Sequence, residues 1–211
     1  MTVQTRVSPP RAPRKRGPKK SDLRLNQIIE SAASCFARNG YDETSLQDIA
    51  NVVGIRKSSL YAHVTSKQEL LLKILDAYIT DMLAGANAIA DSPLSARDKL
   101  SRLFHLLYEA IEKYRDHVTV FFEEMRYLEH PDFVAIRRKR DEFEKLTIGI
   151  IEEGVSKGEF VPLNPRIVSF FVVGLATWSY RWFNPRGRLN VREITDLTMQ
   201  VLIDGLGTPE R

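Results

Sequence analysis

The sequence predicts an all-α protein in two parts: an N-terminal three-helix domain and a larger C-terminal helical bundle. Three observations carry this. Apolar residues recur at three- and four-residue spacing from Leu25 to Leu206, the period of helices buried on one face. No run of alternating apolar and polar residues is long enough for a useful strand. Capping residues and glycine or proline stops divide the pattern into about nine helical segments.

The first segment, residues 21–40, carries Leu25, Ile28, Ile29, Ala32, Ala33 and Phe36 on one face, with Ser21 as cap and Gly40 as stop. Thr44 followed by Gln47 reads as a capping box for a short helix of Leu46, Ile49, Ala50 and Val53, stopped by Gly54. A third short helix covers residues 56–63. Ser66 with Glu69 opens a long helix over 67–91. Beyond Pro93, Ser95 with Asp98 caps a helix over 95–114, and another covers 117–128. A helix over 132–157 closes at Gly158. Asn164 and Pro165 start one over 165–183, ended by the turn Asn184-Pro185-Arg186-Gly187, and Asn190 with Glu193 caps a last one reaching Leu206.

Charge is distributed unevenly. The 211 residues hold 31 Lys and Arg against 27 Asp and Glu, a net of +4. Residues 1–20 contribute +7 from Arg6, Arg11, Arg14, Lys15, Arg16, Lys19 and Lys20 with no acid, so the remainder sums to −3. Interleaved with Pro9, Pro10, Pro13 and Pro18, these cations read either as a solvated tail or as a flexible basic arm that lies on nucleic acid; the DNA-binding resemblance described below favours the arm. With 43% hydrophobic residues the body can bury a core. The longest apolar stretch, near Val168 to Trp178, is interrupted by Ser169, Gly174 and Thr177, so no membrane span is expected. The single cysteine, Cys35, makes neither an internal disulfide nor a cysteine-based zinc site and fits a reducing cytoplasm. A nucleophile elbow, a Gly-rich phosphate loop and metal-ligand spacing are all missing. The expectation is therefore no catalytic residue, no metal and no cofactor.

Residues 44–63 carry the most specific signal. Two short helices joined at Val53-Gly54-Ile55 make a helix-turn-helix, with Ala50 allowing close crossing. The outer face of the second, Arg56, Lys57, Ser58, Ser59, Tyr61 and His63, holds donors of several lengths and no acid. Such a face suits the major groove, with long side chains on base edges. Lys67 and the first turn of its helix are placed to meet phosphate.

These residues resemble a known family. Thr44-Ser45-Leu46-Gln47-Asp48-Ile49-Ala50, Val53-Gly54-Ile55, Leu60-Tyr61-Ala62-His63-Val64 and Ser66-Lys67-Gln68-Glu69-Leu70 are similar to the DNA-binding domain of TetR-family transcriptional regulators, over about residues 21–72. The resemblance implies an arm over 1–20, a DNA-binding domain over 21–66 and a ligand-binding and dimerisation domain over 67–211. It implies that Thr44 or Ser45 caps the first helix of the motif and touches phosphate. Arg56, Lys57, Ser58 and Ser59 would then face bases, while Tyr61, His63 and Lys67 hold the backbone of a palindromic double-stranded operator.

The bundle supplies candidates for the remaining roles. Phe104, Tyr108, Phe121, Phe122, Met125, Trp178 and Trp182 are candidate walls of a ligand pocket, with Arg126, Arg181 and His105 as polar groups. Phe170, Phe171, Gly174, Leu197 and Val201 are candidates for a homodimer interface, because the last two helices carry more apolar residues than one buried stripe needs. Glu153-Gly154, Lys157-Gly158-Glu159-Phe160 and the run from Trp178 to Gly187 resemble the C-terminal domain of TetR-type regulators that respond to acyl-CoA thioesters in fatty-acid or sterol degradation. The expectation is a cytoplasmic, homodimeric repressor controlled by such an effector. Alternatives are an enzyme or binding protein acting on an acyl thioester, a TetR-type repressor of an efflux pump responding to a hydrophobic drug, and an architectural DNA-binding protein using its arm alone.

Overall fold

The computed structural model describes residues 20–184 and 186–206. Of the arm expected over 1–20, residues 1–19 fall outside them and Lys20 begins α1; Pro185 and residues 207–211 also fall outside. Among the described residues there are eight α-helices, two short 3-10 turns and no strand. α1 (Lys20–Asn39), α2 (Leu46–Val53) and α3 (Lys57–Leu60) form a head, and α4 (Lys67–Ala90) runs from the head into the bundle. α5 (Ala96–Glu124), α6 (His130–Ser156), α7 (Pro165–Trp178) and α8 (Val191–Leu206) complete it. None of these helices is long and apolar enough to cross a membrane.

Eight helices replace the nine expected because the segments over 95–114 and 117–128 are one. α5 continues through the expected break and bends at Tyr114, whose φ of −132° and ψ of 38° are not helical. No glycine or proline stands there to end the helix. Arg115, beside the bend, is anchored across the bundle, donating to the carbonyls of Phe183 at 3.1 Å and Tyr180 at 2.8 Å. α6 starts at His130, two residues earlier than expected, because Pro131 is tolerated in a first turn. α7 stops at Trp178 and tightens into a 3-10 turn over Ser179–Arg181.

The caps explain the other boundaries. Ser95 accepts from the Asp98 N–H, Asn164 from the N–H groups of Arg166 and Ile167, and Asn190 and Glu193 satisfy each other. Ser66 accepts from the Glu69 N–H, but the Glu69 carboxylate takes the N–H and hydroxyl of Thr65, so the expected reciprocal box is half formed. That carboxylate lies below the usual range chiefly because of the Thr65 N–H.

One core runs through both parts. Ile28, Ala32, Ala33 and Phe36 of α1 meet Ile49, Ala50 and Leu60 in the head, while Leu70, Leu71, Ile74 and Leu75 of α4 continue into Leu100, Leu103, Phe104 and Leu107 of α5. At the far end, Lys99 is almost buried and pairs with Glu153 at 2.8 Å. Gly154 lies beneath the Phe160 ring beside Ala96. A methyl group on Gly154 would overlap Phe160 Cδ2 and Cε2 and reach 3.0 Å from Ala96 Cβ. Gly154→Ala is therefore expected to destabilise the bundle by about 1–3 kcal/mol through overpacking, read as a lowered midpoint in thermal or urea unfolding.

Candidate nucleic-acid interface and effector cavity

α2 begins at Ser45, whose hydroxyl accepts from the Asp48 N–H while the Asp48 carboxylate accepts the Ser45 N–H at 2.8 Å. The capping box is therefore Ser45 with Asp48, one residue beyond the expected Thr44 and Gln47. Thr44 serves a different end. It is buried, and its hydroxyl donates to the carbonyls of Gly40 at 2.8 Å and Cys35 at 3.3 Å, closing the last turn of α1. The expected Thr44 cap and phosphate contact are corrected accordingly: the hydroxyl points inward.

Gly54 ends α2 in the left-handed conformation, φ 72° and ψ 38°, which a side chain would strain. Its N–H and that of Ile55 return to α2 carbonyls, with Ile55 N to Ala50 O at 3.0 Å. This tight return aims α3 across α2. α3 is a single α-helical turn, continued by turns through His63 rather than the full helix expected over 56–63. Leu60 and Val64 point into the core. Arg56, Lys57, Ser58, Ser59 and Tyr61 point out, His63 is half-buried, and no acid lies between Arg56 and His63. The side chains of Arg56, Lys57, Ser58 and Ser59 make no ion pair or hydrogen bond among the described residues. Their donors remain available to a ligand. Lys67 is engaged: its ammonium donates to the carbonyls of Tyr41 at 2.8 Å and Asp42 at 3.4 Å, strapping α4 to the loop after α1.

The pocket candidates divide. Phe104, Phe121 and Met125 are buried core and line neither of the two larger cavities, which corrects their expected role. Phe121 packs on Tyr78 with centroids 4.9 Å apart. Phe122, Arg126, Trp178 and Arg181 do come together, with Glu123, Gly174, Thr177 and Tyr180, around a cavity of about 690 Å³. Tyr180 and Arg181 both donate to one Glu123 oxygen, at 3.0 and 2.9 Å, and burial pushes the Tyr180 hydroxyl up. Phe122 stacks on Tyr180 at 5.7 Å. Two guanidinium groups against one carboxylate leave this cavity positive.

A second cavity of about 590 Å³ shares Gly174 and Trp178 with the first and is otherwise nearly all apolar: Phe170, Phe171, Leu175, Trp182 and Leu202, with Tyr108 and Thr198 as its polar members. His105 lines neither. The exposed apolar side chains of α7 and α8 lie along the same face. Phe171 is 62% and Val201 72% exposed, with Ile167, Phe170, Leu175, Trp178 and Leu197 beside them. Sequence reasoning missed Glu123, Thr177 and Tyr180 as cavity residues. Glu123 meets Arg181 across 58 positions of chain, and no local spacing signals that.

Known proteins share this fold. The family model described as "Bacterial regulatory proteins, tetR family" matches residues 28–74, and "Tetracyclin repressor-like, C-terminal domain" matches residues 93–206. The chain belongs to the TetR family. It is a DNA-binding transcriptional regulator, and the resemblance expected from the helix-turn-helix residues holds. The transcriptional repressor KstR2 of Rhodococcus jostii is 30% identical over 188 residues, covering 88% of this chain and 92% of the relative. KstR2 of Mycobacterium tuberculosis is 29% identical over 185 residues, covering 87% and 92%. The solved structure of the M. tuberculosis ketosteroid transcriptional regulator KstR2 superposes with a TM-score of 0.83 at 28% identity, covering 88% of this chain and 95% of that one. AibR, solved with isovaleryl coenzyme A and operator DNA, shares the fold at a TM-score of 0.77 and 22% identity, covering 84% and 97%.

The Ser45 cap has a measurable consequence. The hydrogen bonds from the Ser45 hydroxyl and N–H hold the Asp48 carboxyl below the usual carboxylate range. Because this folded-state pKa is depressed, the stabilisation is present above the ordinary carboxylate range and is lost as pH falls through the depressed value. Ser45→Ala is expected to destabilise the protein by about 1 kcal/mol and to move the Asp48 titration to higher pH. Chemical denaturation and an NMR titration of the Asp48 carboxyl check both.

Proposed function

We propose that this regulator is a homodimeric repressor released from a palindromic operator by an acyl-CoA thioester. The observation that carries the effector reading is the pair of adjoining cavities. One is walled by Phe170, Phe171, Leu175 and Trp182, and the other presents Arg126 and Arg181. A ligand with an apolar acyl group and an anionic nucleotide matches that division, since guanidinium groups bind phosphate through paired N–H donors. The relatives named as KstR2 repressors, one of them described as a ketosteroid regulator, support a bulky acyl group.

The dimer reading rests on the α7 and α8 face. A contiguous apolar surface of this kind marks a binding surface, and a two-fold copy would cover it and close the apolar cavity. Two-fold symmetry also sets the two α3 turns against half-sites one helical turn apart, about 34–36 Å. Within each head, Arg56, Lys57, Ser58 and Ser59 read bases while Tyr61 and His63 hold phosphates; the donors of Ser45 and Lys67, also expected on phosphate, are taken by Asp48 and by the loop after α1. The cationic arm adds salt-dependent affinity without sequence preference. Effector binding favours a head separation that no longer matches the half-sites.

Two measurements test this. In a gel-shift on the DNA upstream of its own gene, the full chain should bind specifically. Arg56→Glu with Lys57→Glu should lose about 100-fold or more in affinity at an unchanged melting temperature. Binding that is sequence-independent at every salt concentration, or that survives the double reversal, rejects the assignment. The second is a panel of CoA thioesters of increasing acyl size, with free CoA and the free acids as controls. The chain has two tryptophans, Trp178 and Trp182, and both stand in these cavities. Intrinsic fluorescence should therefore change on binding, with operator release at the same concentrations. A flat response across the panel rejects the thioester reading.

A further inference from the structure

Arg126 belongs to two sets of contacts at once. It lines the positive cavity. Its guanidinium carbon also lies 4.9 Å from the centroid of the Tyr127 ring, and Nη2 donates to the Tyr127 hydroxyl at 3.3 Å. Tyr127 stacks on Tyr41 with centroids 5.1 Å apart and planes 27° apart. Lys67 Nζ lies over the Tyr41 ring at 4.1 Å and is tied to the carbonyls of Tyr41 and Asp42. Gln68 of the same turn donates to the Tyr127 carbonyl at 2.6 Å. Four side chains thus form an unbroken run of cation–ring and ring–ring contacts. It starts at the cavity and ends on the first turn of α4, directly after the α3 segment.

We infer that Tyr127 is a positioning residue for operator binding and that Arg126 governs its hold on the head, an inference that rests on the effector reading of the cavity. A head free to pivot must be ordered on docking, which lowers affinity. The stack removes that freedom beforehand. Arg181 is held by Glu123, whereas Arg126 makes no ion pair among the described residues. An anionic group entering the cavity offers Arg126 a charge-assisted hydrogen bond, stronger than a cation–ring contact at an exposed edge. Arg126 then leaves Tyr127, the stack loses its cap, and the head loses its set angle.

The test measures operator affinity of the full chain by fluorescence anisotropy, first without effector. Arg126→Met and Tyr127→Leu should each weaken binding about fivefold. The double variant should be no weaker than Tyr127→Leu alone, because one contact run is being broken twice. Tyr127→Phe keeps the ring and should stay within about twofold of the parent. Melting temperatures identify any variant that merely unfolds. Additive losses, or parental affinity in Tyr127→Leu, overturn the inference. Octanoyl-CoA is then added at saturation, with occupancy read by tryptophan fluorescence. It should weaken operator binding of the parent, yet bind Tyr127→Leu equally well with little further effect on its operator affinity. An equal response in both overturns the inference. A parent that shows no fluorescence change counts against the effector reading instead, while the effector-free cycle still decides the positioning role.

Discussion

Glu124 is a carboxylate almost wholly removed from water at the end of α5, beside the backbone N–H of Tyr41 just past the end of α1. A carboxylate in such a place is unfavourable unless hydrogen bonded, and burial raises its pKa against the effect of that N–H. The two residues meet where the head joins the bundle. Gly40, in the left-handed region with φ 86°, turns the chain at this point, and its Cα hydrogens face the same carboxylate. The residues on either side of Glu124 divide between two tasks. Phe122, Glu123 and Arg126 build the positive cavity. His117, 3.6 Å from Glu30 of α1, and Tyr127, stacked on Tyr41, hold the head. One wall of the cavity and the seat of the head are therefore built from α5 and the 3-10 turn that continues it over Met125–Tyr127.

That arrangement explains why α5 runs about 43 Å without a break and bends only at Tyr114. A loop at residue 115 would let the two ends move independently. Arg115 reinforces the bend by bonding the carbonyls of Tyr180 and Phe183, just past α7, which ties α5 to the chain that leaves α7. Beside the bend, Glu30, Ala77, Tyr78, Asp81, Tyr114 and His117 enclose a smaller cavity of about 240 Å³ between α1, α4 and α5.

Charge is arranged for the same division of labour. The sequence outside residues 1–20 carries −3, yet the exposed recognition turn from Arg56 to His63 holds no acid. Its side chains at Ser58 and Ser59 are short and exposed, and Arg56 and Lys57 stand exposed at the start of α3. A single α-helical turn suffices because Leu60 and Val64, fully buried, hold it from beneath.

The helical class, the helix-turn-helix and most helix ends were legible in the residues themselves. They depend on interactions between near neighbours: an apolar stripe every three or four residues, Gly54 at a left-handed turn, Asn164 before Pro165, Asn190 with Glu193. The acid-free exposed run could be read for the same reason, since Arg56 to Ser59 are consecutive on one turn. Other features needed the tertiary structure. Thr44 and Ser45 are chemically similar neighbours, and only the approach of the α1 carbonyls turns one inward and leaves the other to cap α2. Phe121 and Phe122 are identical neighbours, yet packing against Tyr78 buries one while stacking on Tyr180 places the other at the cavity. Glu123 with Arg181, and Tyr127 with Tyr41, meet across 58 and 86 positions of chain. Contacts at that separation are set by how whole helices pack, and local sequence periodicity carries no record of them.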